Sequence, residues 1–415
     1  MGDFYLRTQC RMCDSGNLEK VMALTPTPPG NNFLEQVEVV IPEPTYPLDL
    51  YFCRECHHLQ LGHVVDPKIL YQKDYPYVSA TSSRFVEHLR NYTVDMVHRF
   101  ALKPGALAVD IGSNDGTCLR FFQEAGMKVL GVDPATEIAR RATESGIETI
   151  GDFFSHELAV RLRKQYGPAA FITSHNTCAH IDHLDDVVRG VRHWLSDDGV
   201  FVLEVGYLLD VFENTWFDTI YHEHLDYHTV APFKKLFGRA GMEAIGVQRV
   251  SPQGGSIRIV AQRANGSRKD DGSVAALIDL EQQNGLDKPE TFVEFGRRIN
   301  EVGTQLRSLI RALKVNGKSI AGYGAATKAT TLLSHFKLGK DELDFIVDDN
   351  PLKQGLFSPA AHVPVVAPKE LYRRRPDYLL ILAWNFAEPI IAAHRQYADE
   401  GGKFILPMPV PRIIE

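Results

Sequence analysis

Residues 219–228, TIYHEHLDYH, concentrate side chains that can bind a metal or move a proton. Two histidines four apart on a helix can hold Zn²⁺ while a glutamate between them activates water. His224 and His228 have this spacing, but Glu223 precedes the pair, and Asp226 stands where the motif requires its second histidine. From this segment alone, a metal site, a general base, and histidines exposed where a loop meets a helix all remain open.

Four of the six cysteines form two C-x-x-C pairs, Cys10 with Cys13 and Cys53 with Cys56. Two such pairs are the usual way for short loops to present four thiolates to one Zn²⁺. The turn-rich sequence between the pairs predicts a small β hairpin. We expect a structural zinc site, because four cysteines leave no open position on the metal for catalysis. A redox dithiol and coincidental buried cysteines are the alternatives.

The segment GALAVDIGSNDGTCLRFFQEAGMKVLGVDPA, residues 105–135, predicts a strand, a glycine-rich turn, a helix and a second strand. The apolar run 106–111 is typical of a buried strand, and Gly112 and Asp115 lie in the turn. Asp133 ends the second strand, where a carboxylate can accept hydrogen bonds from ribose hydroxyls. An acidic turn disfavours a pyrophosphate and favours a cationic nucleoside such as S-adenosylmethionine (SAM). A NAD-binding unit is the alternative.

Several short motifs resemble those of the class I SAM-dependent methyltransferases. VDIGSNDGT resembles the first motif, GVDPA the second, and IGDFF the stretch that cradles adenine. FITSHNTCAHIDH resembles the fourth strand and the loop after it. The resemblance implies a Rossmann-like domain with the following residues around SAM: Asp110, Gly112, Asn114, Asp115, Asp133, Asp152, Phe153, His175 and Asn176.

Nearly the whole chain resembles the sugar C-methyltransferases that act on nucleotide-linked 4-keto deoxysugars. The motifs that carry this resemblance occur in order: the paired cysteines, DYPYVSATSS, DIGSNDGT, SHNTCAHIDH, YHEHLDYH, QGGSIRI and GYGAATKATTLL. By resemblance, His224 is the general base, with Glu223 and Tyr221 beside it and Tyr75 and His180 lining the reacting centre.

The residue types fit this chemistry independently of the family. A ketone acidifies the neighbouring C–H group, so a base can remove that proton while donors stabilise the enolate oxygen. A histidine oriented by a carboxylate is a common proton acceptor. Whether His224 or Glu223 is the base stays open. The alternatives are a SAM-dependent O-methyltransferase, which would need such a base less strictly, and a non-enzymatic zinc-containing adaptor.

The C-terminal half begins with a polar, turn-rich stretch and a helix at about 291–314. Alternating strands and helices follow, which predicts a second parallel, doubly wound sheet. GYGAAT has Thr327 at the third glycine position, so it is a weak dinucleotide motif. Holding a sugar nucleotide's diphosphate, a packing role and NAD binding are the interpretations. The candidate substrate-binding residues are Tyr77, Ser79, Gly255, Ser256, Arg258, Tyr323, Lys328, Trp384 and Asn385.

Length and composition bound these expectations. A chain of 415 residues exceeds the size of a single core. We expect an α/β protein with a zinc-binding domain (1–74), a class I methyltransferase domain with a Rossmann-like fold (75–264) and a second doubly wound α/β domain (265–415). A net charge of −7 argues against nucleic acid as a partner. With no bilayer-spanning apolar run and no signal-peptide pattern, we expect a cytoplasmic protein with no membrane partner. We also expect a monomer, and the family resemblance implies a nucleotide-diphosphate sugar as its partner.

Overall fold

The computed structural model describes residues 3–71 and 79–414, with the side chains of all of these except Tyr71, Thr81 and Gln253. Tyr75 and Tyr77, both proposed above as site residues, lie outside the described residues.

The N-terminal part is built on a β hairpin, as the sequence predicts. Its elements are β1 (Phe4–Leu6), β2 (Leu18–Thr27), β3 (Tyr46–Cys53), β4 (Leu59–Leu61), β5 (His63–Val65) and α1 (Pro67–Tyr71). The side chains of Tyr46, Leu48, Leu50 and Phe52 in β3 are buried, which is the two-residue period of a strand with one face on a core. β1 pairs with β5, while β2, β3 and β4 form an antiparallel sheet.

A fourth strand joins this sheet from far along the chain. β11 (Asp226–Tyr227) belongs to the histidine-rich segment and pairs antiparallel with β4, in the order β11-β4-β3-β2. The zinc-binding domain therefore shares a sheet with the segment that carries the candidate base.

The central part is a seven-stranded sheet in the order β12-β13-β10-β9-β6-β7-β8. Its strands are β6 (Leu107–Ile111), β7 (Lys128–Val132), β8 (Thr149–Ile150), β9 (Ala169–His175), β10 (Leu195–Gly206), β12 (Met242–Val250) and β13 (Ser256–Arg263). Its helices are α2 (Ser83–Arg99), α3 (Thr117–Glu124), α4 (Thr136–Glu144), α5 (His156–Tyr166), α6 (Leu184–Trp194), α7 (Leu208–Asn214) and α8 (Val230–Arg239).

Five strands of this sheet, β6 to β10, run parallel, and β13 and β12 continue it antiparallel. Every residue of β6 is buried, as expected for a strand covered on both faces. The carboxyl ends of parallel strands meet at one edge of the sheet, where ligands of such folds bind.

The C-terminal part follows α9 (Ser273–Gln283) and the long helix α10 (Pro289–Val315), which confirms the helix predicted at about 291–314. Its sheet has the order β16-β15-β14-β17-β18-β19, with only β19 antiparallel. The strands are β14 (Ile320–Tyr323), β15 (Ile346–Val347), β16 (Val365–Val366), β17 (Tyr378–Ile381), β18 (Lys403–Leu406) and β19 (Arg412–Ile414). The helices are α11 (Thr327–Phe336), α12 (Lys369–Arg374), α13 (Ala387–Ala393) and α14 (Arg395–Asp399).

One buried apolar cluster runs through all three parts, joining residues such as Leu50, Val205 and Leu332. Phe52 of β3 contacts Phe292 of α10, with ring centroids 5.6 Å apart. The three parts are therefore held to one another by apolar burial as well as by the chain. None of the helices within residues 3–71 and 79–414 has the length and apolar character needed to cross a membrane.

A candidate active site where the three domains meet

The four cysteines of the two C-x-x-C pairs converge at the edge of the N-terminal sheet. All four sulfur atoms lie within 4.8 Å of one another, and the Cys10–Cys56 and Cys13–Cys53 sulfur pairs are 3.5 Å apart. Four sulfurs bound tetrahedrally at about 2.3 Å from Zn²⁺ would lie at similar separations. The donor set fits a closed zinc site, which cross-links the two loops.

The histidine-rich segment contributes to no comparable group. Among the described residues, the only other group of three potential ligands is Asp110, Cys118 and His175, in the central domain. His224 and His228 thus do not form the metal site considered as one alternative for this segment.

The glycine-rich turn after β6 has the backbone that its sequence requires. Gly112 has a φ of 75°, and a Cβ there would lie 2.0 Å from the hydroxyl of Thr177. Asn114 donates its backbone N–H to Asp133 Oδ2 at 2.8 Å, and Ala135 donates to Oδ1 at 2.9 Å. Asp133 therefore closes the turn from the end of β7.

Two buried groups beside this turn have polar atoms without partners. Asp110 Oδ1 and both ring nitrogens of His175 make no hydrogen bond. Burial and the charge of Asp133 raise the pKa of Asp110 well above its usual value, and burial lowers the pKa of His175 to about 4. A cationic ligand would stabilise the Asp110 carboxylate, so this edge fits the charged groups of SAM.

Other residues expected around SAM also follow strands of the central sheet, but they differ from one another in solvent exposure. Asp115 accepts hydrogen bonds from the Thr117 and Ala80 backbone N–H groups. Phe153 is 60% exposed, and Asp152 beside it is also exposed. Asn176 follows β9 with a φ of 54°.

His224 is held as a neutral imidazole of one tautomer. Its Nδ1 lies 2.9 Å from the Thr219 carbonyl oxygen, so Nδ1 carries the proton and donates it. Nε2 is then an acceptor, and the Tyr221 hydroxyl donates to it at 2.8 Å. Burial lowers the pKa of His224 to about 4, although the bond to Thr219 raises it. A neutral imidazole with a lone pair on Nε2 can accept a proton.

His180 brings this imidazole next to the glycine-rich turn. Its ring meets that of His224 edge to face, with centroids 5.0 Å apart. His180 ends a 3-10 helix, Cys178–His180, which begins beside Thr177, the residue packed against Gly112. The candidate base therefore lies at the edge of the sheet that binds SAM.

The other histidines of the segment have structural surroundings. His222 is 1% exposed and donates Nε2–H to the Tyr46 carbonyl at 3.1 Å. His228 is equally buried and packs against the rings of His58 and Phe233. The alternative of surface histidines at a loop is therefore wrong.

Glu223 links the three domains. Its carboxylate accepts a hydrogen bond from Asn31 Nδ2 at 2.9 Å, and Asn31 Oδ1 accepts one from the Thr327 hydroxyl at 2.8 Å. Burial raises the pKa of Glu223 to about 7, against the opposing effects of Asn31 and the nearby Lys353. This carboxyl group can change its protonation state near neutral pH.

A cation and two tryptophans line the C-terminal side of the site. Lys328 Nζ lies 3.5 Å from the centroid of the Trp384 ring and donates to Asn385 Oδ1 at 2.6 Å. Trp216 stacks on Trp384 with ring centroids 4.4 Å apart. Because Lys328 and Trp216 cannot occupy the same side of the Trp384 ring, they lie on opposite faces of it. Both faces of Trp384 are thus covered.

Asp218 contacts the edge of the Trp384 ring. It is fully buried and accepts the Trp384 indole N–H at 2.7 Å. Burial raises the pKa of Asp218 to about 6, with Lys328 opposing, and burial lowers the pKa of Lys328 to about 8, with Asp218 opposing. Each group therefore favours the charged form of the other.

The remaining candidate substrate residues among the described ones have the following partners. Ser79 donates its N–H to Asn114 Oδ1, and Arg258 is buried with its guanidinium on Glu204. The Tyr323 hydroxyl donates to Asp349. Gly255 and Ser256 lead into β13; a Cβ on Gly255 would lie 2.3 Å from the carboxyl carbon of Asp210.

Sequence reasoning did not single out Asn31, Trp216, Asp218 or Lys353. Asn31 lies in the turn-rich stretch TPTPPGNNF, whose composition predicts only a loop. Asp218 directly precedes TIYHEH, and that proximity was the one available signal for it.

Comparison with known proteins decides the family. The chain is 36% identical over 406 residues, 98% of its length, to the C-methyltransferase NovU of Streptomyces niveus, of which it covers 96%. This chain belongs to the C-methyltransferase family. Three domain families match parts of this C-methyltransferase: "Putative zinc binding domain" at 10–71, "Methyltransferase domain" at 85–247 and "C-methyltransferase C-terminal domain" at 251–409. They confirm the predicted order of domains, the use of SAM and the zinc-binding cysteines.

Solved methyltransferases match only part of this C-methyltransferase. Magnesium protoporphyrin IX methyltransferase from Synechocystis, solved with bound SAM, is 15% identical with a TM-score of 0.32, covering 44% of this chain and 79% of its own. A SAM-dependent methyltransferase from Clostridium acetobutylicum is 11% identical with a TM-score of 0.35, covering 43% and 92%. The overall likeness to both structures is low.

Proposed function

We propose that this C-methyltransferase transfers the methyl group of SAM to the carbon next to the ketone of a nucleotide-linked 4-keto deoxysugar. The observation that carries the proposal is the half-buried, neutral His224, whose ring meets that of His180 close to the glycine-rich turn. Carbon is a poor nucleophile until a neighbouring proton is removed, so a carbon methyltransferase acting beside a ketone needs such a base.

His224 removes the α-proton at Nε2. In the structure this nitrogen accepts the Tyr221 hydroxyl, so the substrate's C–H group takes the place of that hydroxyl. The imidazolium formed keeps its Nδ1–H on the Thr219 carbonyl, whose partial negative charge stabilises the new positive charge.

Once displaced from Nε2, the Tyr221 hydroxyl donates to the enolate oxygen instead. A donor placed where negative charge develops lowers the barrier without needing to reorient during the reaction. His180 lies edge-on to His224 and limits the space on that side. SAM bound at the glycine-rich turn supplies an electrophilic methyl group to the carbanion.

The C-terminal domain holds the diphosphate of the substrate. Lys328 lies in the first turn of α11, where free backbone N–H groups and the helix dipole favour an anion. Its amine is restrained by Asn385 and Trp384, and the nearby Asp218 favours its charged form. Because Trp384 is covered on both faces, it supports Lys328 instead of stacking on the nucleobase.

Hydrogen exchange separates proton removal from methyl transfer. The protein is incubated in D₂O with S-adenosylhomocysteine and a panel of 4-keto and 4-hydroxy sugar nucleotides, and deuterium at the α-carbon is followed by NMR. We expect exchange with a 4-keto substrate only. His224→Asn should abolish exchange and lower turnover by about 10²–10⁴-fold while leaving SAM affinity nearly unchanged.

His98→Asn is the matched control, because its side chain is exposed in α2 and should not affect either rate. Exchange that survives His224→Asn but is lost in Glu223→Gln would transfer the role of base to Glu223. Methylation of a 4-hydroxy sugar without exchange would overturn the proposal in favour of O-methylation.

A further inference from the structure

An arginine is buried between the cysteines of the first zinc-binding pair. Arg11 lies between Cys10 and Cys13 and has no exposed surface. Removing a guanidinium from water is costly unless its charge and donors are matched. The hydrogen-bond partners of Arg11 therefore identify the chain segments that it holds in place.

The partners of Arg11 come from the two segments that carry the active-site histidines. Nε donates to Asp182 Oδ1 at 2.8 Å, and Asp182 is two residues beyond His180. Nη1 donates to the Leu225 carbonyl at 3.4 Å, and Leu225 directly follows His224.

Further hydrogen bonds tie these segments to each other and to the zinc-binding domain. The Leu225 N–H donates to the Ala179 carbonyl at 2.7 Å, and the Leu225 carbonyl accepts the Leu61 N–H at 2.8 Å. Arg11 Nη1 also donates to the Leu61 carbonyl at 2.8 Å. One guanidinium thus lies at the crossing of three chain segments.

A second residue of the zinc-binding domain binds the histidine-rich segment, residues 219–228, two residues after His224. His58 Nε2 lies 2.6 Å from Asp226 Oδ1, and both side chains are fully buried. Asp226 Oδ2 is 4.0 Å from Arg11 Nε. The two residues directly after His224 are therefore fixed from the zinc-binding domain.

We propose that Arg11 is a positioning residue for the active site, which sets the approach of His180 to His224 from within the zinc-binding domain. The inference rests on the proposed role of His224 as base. The two rings meet edge to face, and the segments that carry them are joined by the Leu225–Ala179 hydrogen bond and by Arg11. A displacement of about 1 Å in a catalytic group can cost about 10²-fold in rate. The zinc-binding domain then contributes geometry to catalysis although it contributes no catalytic group.

Arg11→Lys tests this role, because lysine keeps the charge but cannot reach acceptors on two segments in a fork. The α-hydrogen exchange rate is measured with the 4-keto sugar nucleotide that the wild-type protein exchanges fastest. Zinc content, unfolding temperature and the KM values for SAM and sugar are measured on the same samples. We expect exchange and kcat to fall at least about tenfold, with zinc content unchanged and both KM values within about twofold.

Leu48→Ala is the matched control for lost stability, since Leu48 is fully buried in β3, where it pairs with Leu24 of β2. It should lower the unfolding temperature at least as much as Arg11→Lys yet leave exchange within about twofold at a temperature where both variants are folded. If Arg11→Lys does not fold, Asp182→Asn carries the same expectation.

An exchange rate in Arg11→Lys within about twofold of the wild-type rate would overturn the inference. So would a loss of exchange that follows the loss of unfolding temperature in both Arg11→Lys and Leu48→Ala. His224→Asn is run in parallel. If that variant still exchanges, the proposed base is wrong; if it does not and Arg11→Lys is unaffected, only the role of Arg11 is wrong.

Discussion

At the scale of single residues, the site combines groups whose ionisation is opposed by burial. Glu223 and His224 are adjacent, yet burial moves their pKa values in opposite directions, to about 7 and about 4. Both neutral forms are therefore favoured in the folded protein. A base that is neutral at pH 7 is ready to accept a proton, while its neighbour can hold or release one near the same pH.

Glu223 should make the stability of the protein depend on pH. Its pKa in the folded state is above that of an unfolded glutamate, so its contribution is complete below about pH 4.5 and is lost as the pH rises through about 7. Glu223→Gln, which stays neutral, should therefore gain free energy of unfolding relative to the wild type between pH 5 and pH 8, by about 1–3 kcal/mol. Urea unfolding at both pH values measures this.

Glu124→Gln is the control, because its side chain is 57% exposed and its substitution should shift stability equally at both pH values. An equal effect of Glu223→Gln at pH 5 and pH 8 would contradict the raised pKa.

Residues that act within one local motif could be predicted, and residues that act across domains could not. The turn at Gly112 and the position of Asp133 after β7 could be predicted because strand, turn and strand are continuous in sequence, so their spacing fixes their geometry. The contact of Asn31 with Glu223 joins positions far apart in the chain, and an asparagine in a turn-rich loop gives no sign of its partner. Trp216 and Asp218 were missed for the same reason.

At the scale of elements, the site depends on a close contact between a loop of the zinc-binding domain and the start of α11. Gly30 packs against Thr327, and a Cβ at Gly30 would lie 2.6 Å from the Thr327 carbonyl oxygen. The neighbouring Asn31 makes the hydrogen bonds to Thr327 and Glu223. The loop therefore needs a glycine where it meets the helix.

Gly30→Ala should force these elements apart. We expect a loss of about 1–3 kcal/mol in the free energy of unfolding, the usual cost of inserting an atom into a packed contact. Turnover should fall as well, because Asn31 moves with the loop. Gly16→Ala in the same domain is the control, since its Cβ would come no nearer than 3.9 Å to another residue's atoms. Equal stability of the two variants would contradict the prediction, because it would show that the loop and α11 can move apart at no cost.

At the scale of the whole molecule, the zinc site closes a domain that shares its sheet and its core with the rest of the chain. Metal analysis should find about one zinc per chain, the stoichiometry of a Cys₄ site. Cys13→Ser should lower that content and the unfolding temperature, because metal binding is coupled to folding. Cys118→Ala should keep the metal, since Cys118 is buried away from the four ligands. Full zinc content in Cys13→Ser would contradict the assignment.

The order and class of the three domains could be predicted because each has its own periodic pattern of strands, helices or cysteine pairs. The pairing of β11 with β4 could not, since a strand of two residues has no periodicity and its partner lies in another domain. The arrangement of the domains is set by such long-range contacts and by the shared apolar core, which leave no local mark in the sequence.

The shared strand limits how such enzymes can be recombined. A chimera that exchanges the zinc-binding domain between relatives at the domain boundary would separate β4 from its own partner strand β11. It would also separate Arg11 and His58 from Asp182 and Asp226. The zinc-binding domain of one parent would then contact the active-site segments of the other, and their contact residues would not match even though each domain remained whole. Residues 179–182 and 219–228 should therefore be inherited from the same parent as the zinc-binding domain, so the unit of exchange is discontinuous in sequence.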